Sequence, residues 1–197
     1  KVPEVKVKFK ESDQSHLILG VRAFNLYDKR KYILSVLSDI LGGGMSSRLF
    51  QKVRDKMGAA YYVRSSTDLF TDHGFISVAA GAENSKLESV VVAILEEFGR
   101  LTSELVSEKE LKRSKDHLIG TFLLGLEGSD SLANYYGGQE VSREKLLTPD
   151  EIIAKIKKVK ASEILEVAKF IFKNEKLNLA LIGPLKDQNS LKKLLKI

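Results

Sequence analysis

The apolar residues of this chain change their spacing in blocks, and the order of those blocks limits the available folds more than any other feature. Val5, Val7 and Phe9 alternate with Lys6, Lys8 and Lys10, the period-two pattern of a strand with one buried face. After the turn-like Glu11-Ser12-Asp13, a second strand runs from about Ser15 to Phe24. It puts Leu17, Leu19, Val21 and Ala23 on one face and His16, Ile18, Gly20 and Arg22 on the other. Asp28 can cap a helix carrying Ile33, Leu34, Leu37, Ile40 and Leu41, which Gly42-Gly43-Gly44 ends. Ser46 or Ser47 can cap a second helix with Leu49, Phe50, Val53 and Met57 on one side, and Gly58 stands where a left-handed terminal residue is wanted. Residues 60–67 and 74–82 give two more strands joined by a loop at 68–73.

From Asn84 a long amphipathic helix runs through Leu87, Val90, Val91, Ile94, Leu95, Phe98 and Leu101. Ser107-Glu108-Lys109-Glu110 has the form of a capping box and starts a helix through Leu111, Leu118, Phe122 and Leu126. A shorter helix is expected around 131–140. Thr148-Pro149-Asp150-Glu151 is a second capping box with proline at the first helical position, and Ser162 can cap a helix carrying Leu165, Ala168 and Phe172. The run at 177–182 returns to a strand, stopped by Gly183-Pro184. Such segregated runs predict an α+β layer: a largely antiparallel sheet of about five to six strands, covered on one face by helices. At 197 residues, with no linker or repeat dividing it, the chain is expected to be a single domain over 1–197.

Composition removes several function classes. Cysteine is absent, which rules out disulfides, thiolate nucleophiles and cysteine-ligated zinc. His16, His73 and His117 are the only histidines, and none has another at the spacing of a metal pair, so no zinc site is expected in this chain. The net charge is +6, but the 32 basic residues are spread among 26 acidic ones without interleaved aromatics, so no nucleic-acid partner is expected. No apolar run approaches the ~18–20 residues that span a bilayer, and no signal-peptide pattern opens the sequence, which leads to the expectation of a cytoplasmic protein without a membrane partner. A chain opening on Lys1 rather than Met suggests a portion of something longer.

Gly42-Gly43-Gly44-Met45-Ser46-Ser47 could suggest a phosphate loop, but the glycines follow a helix rather than a strand, and no Gly-Lys-Ser/Thr or G-x-G-x-x-G accompanies them. A helix end and tight turn is the better reading. Arg54 and Tyr61 flank a helix end and a strand start, which can bring both to one edge of the sheet. Arg donates several N–H groups to a carbonyl or carboxylate, and Tyr donates an O–H to a developing oxyanion. Taken alone, the residues equally suit a surface Arg and a half-buried strand Tyr. His117 lies mid-helix and His73 beside Asp72 in a loop, and no Ser/His/Asp arrangement with assignable roles is visible.

The stretch Leu41-Gly42-Gly43-Gly44-Met45-Ser46-Ser47-Arg48-Leu49-Phe50, followed by Val53-Arg54-Asp55-Lys56-Met57-Gly58-Ala59-Ala60-Tyr61, resembles a known pattern. It is similar to the C-terminal, non-metal half of the pitrilysin and mitochondrial-processing-peptidase family, the inverzincins. The likeness extends to His16-Leu17-Ile18-Leu19-Gly20, to Gly81 before the long helix, to Val106-Ser107-Glu108-Lys109-Glu110-Leu111, to Leu147-Thr148-Pro149-Asp150-Glu151-Ile152, and to Leu181-Ile182-Gly183-Pro184. The resemblance implies two halves of similar α+β fold that enclose a peptide-sized chamber. Zinc is then held by an H-x-x-E-H helix of the other half. This chain has no H-x-x-E-H, so the zinc-carrying half is expected upstream in the same polypeptide or on a partner chain.

By the same resemblance, Arg54 and Tyr61, seven residues apart as the pattern requires, bind substrate, and Tyr61 supports the oxyanion. Strand alternation would point Tyr62 to the opposite face from Tyr61. The short glycine loop favours a bacterial-type peptidase over a processing-peptidase α-subunit, which carries a longer insertion, although a β-type or non-catalytic chain also fits. The function implied is the substrate-binding half of a zinc-dependent metalloendopeptidase acting on peptides or unfolded segments. The alternative is a catalytically silent assembly subunit. The isolated half would be inactive, with a homodimer as its substitute pairing.

Overall fold

A computed structural model describes residues 4–142 and 145–197. The period-two runs form five strands: β1 (Glu4–Phe9), β2 (Gln14–Arg22), β3 (Ala60–Leu69), β4 (Gly74–Glu83) and β5 (Leu177–Gly183). They make one sheet in the order β1-β5-β2-β4-β3. Only β1 and β5 run parallel; β5, β2, β4 and β3 pair antiparallel in turn. The last strand of the sequence therefore inserts between the first two, which a linear reading of periodicity does not reveal.

Alternation decides the layers. Leu17, Leu19 and Val21 of β2, Ile76, Val78 and Ala80 of β4, and Leu177, Leu179 and Leu181 of β5 are buried under helices. His16, Ile18 and Arg22 lie exposed on the open face. The covering helices are α1 (Lys31–Gly42), α2 (Leu87–Ser103), α3 (Glu108–Leu124), α4 (Ser129–Ser142), α5 (Pro149–Lys158), α6 (Ala161–Ile171) and α7 (Asn189–Leu194). The apolar stripe of α2 is almost wholly interior, and its Phe98 stacks on Phe172 at 4.2 Å. Fully burying a Leu or Phe is worth about 1.5–3 kcal/mol relative to exposure, so this stripe is the main reason α2 holds the centre of the helical layer. The α+β class and largely antiparallel sheet expected from the sequence are found, with five strands.

Several helix starts differ from the sequence reading. Asp28 does not cap α1. Its carboxylate accepts the Arg30 amide at 2.8 Å and the Arg30 guanidinium at 3.0 and 2.6 Å, and Arg30 stands at the cap position. A single tight turn, Asn84–Lys86, precedes α2. The Lys160 amide donates to Glu163 at the start of α6, so Ser162 is inside that helix. Ser107 does cap α3, accepting the Glu110 amide at 3.2 Å, but the Glu110 carboxylate is committed elsewhere, as described below. The full reciprocal box forms at Thr148 and Glu151.

Candidate functional site

The first half of the chain builds a continuous path from α1 to the sheet edge. Gly42, the last residue of α1, lies so close to β3 that a Cβ there would stand 2.5 Å from the Ser65 amide nitrogen. Ser38 of α1 and Ser65 of β3 share a hydrogen bond of 2.9 Å, fixing the same contact. The glycine turn ends the helix, as expected: the Gly43 amide donates to Asp39 O at 2.9 Å, and the Ser47 amide returns to Gly44 O at 3.0 Å. Ser47 spends its hydroxyl on the Gly44 carbonyl and caps nothing.

The second helix expected from sequence is present but wide. Its segment Phe50–Lys56 is π-helical, with the Met57 amide donating five residues back to Lys52 O at 3.0 Å. Such wide turns are frequent at functional positions. Gly58, at φ +55°, ends it in the left-handed conformation anticipated for that residue. The Ala59 amide then reaches back to Val53 O at 3.0 Å. Val53 and Ala59 are both buried, so the whole connection is pinned at two apolar points.

Arg54 follows one of those points and Tyr61 comes two residues after the other. Arg54 is exposed, with its guanidinium 5.1 Å from the Phe50 ring centre. Tyr61 is 59% exposed at the start of the edge strand. Neither side chain makes a hydrogen bond or ion pair among the described residues, and no contact joins the two directly. Both hydrogen-bond donors are therefore available to a ligand.

Tyr61 also marks a break in the strand. Ala60 pairs with Ala82 and Tyr62 pairs with Gly81, which leaves Tyr61 as the extra residue of a β-bulge. The alternation that would separate Tyr61 from Tyr62 assumes a regular strand, and the bulge interrupts that regularity here. Tyr62, 37% exposed, lies on the open face, where its hydroxyl is 3.1 Å from His16 Nδ1 and its ring stacks on the imidazole. Arg64 places its guanidinium 6.0 Å from the Tyr62 ring.

The histidines lie apart. His16 pairs with Tyr62; His73 pairs with Asp72 in an exposed loop, and its hydrogen bond holds the Asp72 carboxyl below the usual range. His117 Nδ1 is 2.7 Å from Oδ1 of Asp39, whose Oδ2 accepts the Ser114 hydroxyl at 2.7 Å. Ser114 thus bonds the carboxylate rather than the imidazole, which is not the geometry of a nucleophile and its base. Among the described residues no group of three or more His, Asp or Glu side chains could hold a metal ion, so these residues do not fit zinc. Among the described residues, too, no helix is long and apolar enough to cross a membrane.

A cluster missed by the sequence reading lies behind the π-helical segment. Arg48 Nε and Nη2 donate to Glu110 of α3 at 2.8 and 2.9 Å, and Arg48 Nη1 is 3.8 Å from Glu97 of α2. Lys52 donates to Glu96 at 2.7 Å and to Glu97 at 3.2 Å, and Arg100 reaches Glu97 at 3.2 Å. The signal was available: Glu97 falls three residues after Ile94 and four before Leu101, a carboxylate on an otherwise apolar stripe.

Comparison with known proteins adds to this geometry. The family model described as the peptidase M16 inactive domain matches residues 1–118. An uncharacterized zinc protease of Streptomyces coelicolor is 35% identical over 181 residues, covering 92% of this chain and 39% of that protein. The uncharacterized zinc protease YmxG of Bacillus subtilis is 36% identical over 175 residues, covering 89% of this chain and 42% of that protein. The structure of a peptidase M16 inactive domain from Pseudomonas fluorescens superposes with a TM-score of 0.84 at 19% identity, over 94% of this chain and 44% of that one, a likeness of fold. The chain thus spans about two fifths of the length of the relatives it matches.

Proposed function

The chain belongs to the M16 peptidase family as its inactive domain, and from that premise we propose that it is the substrate-supporting half of a zinc-dependent endopeptidase. Its partner is the homologous zinc-carrying half, in the same polypeptide or on another chain, and the two enclose a chamber that admits peptides or unfolded segments. The metal, when bound in that other half, supplies Lewis acidity and the nucleophile. This chain contributes hydrogen-bond donors and shape.

The reading is carried by one observation: Arg54 and Tyr61 leave opposite ends of a connection anchored at buried Val53 and Ala59, and both present uncommitted donors. Tyr61 donates its O–H to the scissile carbonyl oxygen as charge develops there, a contact stronger in the transition state than in the ground state. Arg54 holds a carbonyl of the substrate backbone and so fixes the bond to be cut. Removing one oxyanion donor costs ~10²–10³ in kcat, and Tyr61→Phe in the assembled enzyme is expected to show a loss of that order with its fold unchanged. Near wild-type kcat/KM in that variant would remove Tyr61 from the site and favour a catalytically silent subunit.

A further inference from the structure

The side chain of Glu97 is only 2% exposed, and an uncompensated charge at such depth is costly. It is held by cations from two directions: Arg100 from its own helix, and Lys52 and Arg48 from the helical turn that carries Arg54. The Arg48 side chain is 11% exposed, with two nitrogens on Glu110 and its Nη1 buried without a hydrogen-bond partner, aimed at Glu97.

Within Phe50–Lys56 the only buried residue is Val53. Leu49 and Ala59, buried on either side of it, help fix how deep the segment sits, and the ion pairs on its other flank add a second hold. That second hold comes from Arg48 and Lys52, four residues apart, which both reach α2, with Arg48 also reaching α3. Arg54 comes two residues after Lys52, roughly half a turn round, and so points away from this cluster.

We infer that Glu97, Glu110, Arg48 and Lys52 form a clamp that sets the direction of Arg54, which makes Glu97 and Arg48 positioning residues for substrate binding. The inference rests on the reading of Arg54 given under Proposed function. Glu97→Gln keeps the shape and removes the buried charge that Arg48 and Lys52 share, so the segment is held less firmly on this flank while Leu49 and Val53 stay seated.

The test is a double-mutant cycle in the chain assembled with its zinc-carrying half, cleaving a quenched-fluorescence peptide. Glu97→Gln is expected to lower kcat/KM by roughly 10–100-fold, mainly through KM, because small misplacements of a positioning group have costs of this size. In an Arg54→Ala background the same substitution is expected to have no further effect, since the clamp acts through Arg54. Amide exchange at Met57, whose N–H closes the wide turn on Lys52, is expected to quicken in Glu97→Gln.

Arg48→Lys, which keeps the charge but loses the bidentate pairing, repeats the cycle if Glu97→Gln fails to fold. Equal losses with and without Arg54, or unchanged Met57 exchange, would overturn the clamp while leaving the substrate role of Arg54 intact. A silent Arg54→Ala would instead overturn the reading on which the clamp rests. If the wild-type assembly cleaves nothing, the functional reading fails, and Met57 exchange alone decides whether the clamp fixes the turn.

Discussion

Tyr61 and Tyr62 show how far a single residue can depart from the rule that governs its neighbours. Period-two alternation holds along β2, β4 and β5, yet the one extra residue in β3 falls on Tyr61, because Ala60 and Tyr62 keep register with Ala82 and Gly81. The seven-residue spacing of Arg54 and Tyr61 is visible in the sequence. The bulge is not, since it depends on how β3 pairs with a strand that comes later in the chain. Glu97 was legible as a carboxylate among apolar residues, but two of its three cations, Arg48 and Lys52, lie more than forty positions away. At this scale two substitutions separate roles. Arg54→Ala is expected to raise KM as well as lower kcat, because it removes positioning together with charge. Tyr62→Phe removes only the hydroxyl bonded to His16 and is expected to leave kcat/KM within about twofold, inside the ±0.5 kcal/mol usual for surface changes. Steady-state kinetics of both variants checks this.

Among the elements, periodicity located the five strands and the long helices, while the caps were read less well. A cap side chain has competitors: the Asp28 carboxylate is taken by Arg30 and that of Glu110 by Arg48, and neither competition shows in local sequence. Likewise the spacing of Leu49, Val53 and Met57 announces a helix but not its extra width. At Thr148 the only ion pair to Glu151 among the described residues is a long one from Lys145 at 4.0 Å, and the full box forms, with the Thr148 amide 2.8 Å from Glu151 and the Glu151 amide 3.3 Å from the Thr148 hydroxyl. Thr148→Ala is therefore expected to cost about 1 kcal/mol in denaturant unfolding. The Thr148 N–H holds the Glu151 carboxyl below its usual range, so the stabilisation is present above the unfolded-state pKa and is lost as pH falls through the lower folded-state value. Thermal melts of Glu151→Gln are expected to lie below wild type at pH ~7 and to converge with it well below the ordinary Glu pKa of about 4.3. A gap that persists there would contradict this account of the box.

The molecule as a whole presents an α+β layer with one sheet face open, one uncommitted donor on its edge strand and another on the helical turn before it, and no metal-binding group among the described residues. The chain spans about two fifths of its relatives' length, and these features support the proposal that it is one half of a larger unit. Dialysed chain is expected to retain no stoichiometric zinc by elemental analysis, since no three ligands converge among the described residues. Most direct is the peptidase activity of the zinc-carrying half titrated with this chain. The account predicts negligible cleavage by the zinc half alone, activity that rises to saturation as wild-type chain is added, and a plateau ~10²–10³ lower with the Tyr61→Phe chain. Full kcat/KM from the zinc half alone, or equal plateaus for the two chains, would contradict it.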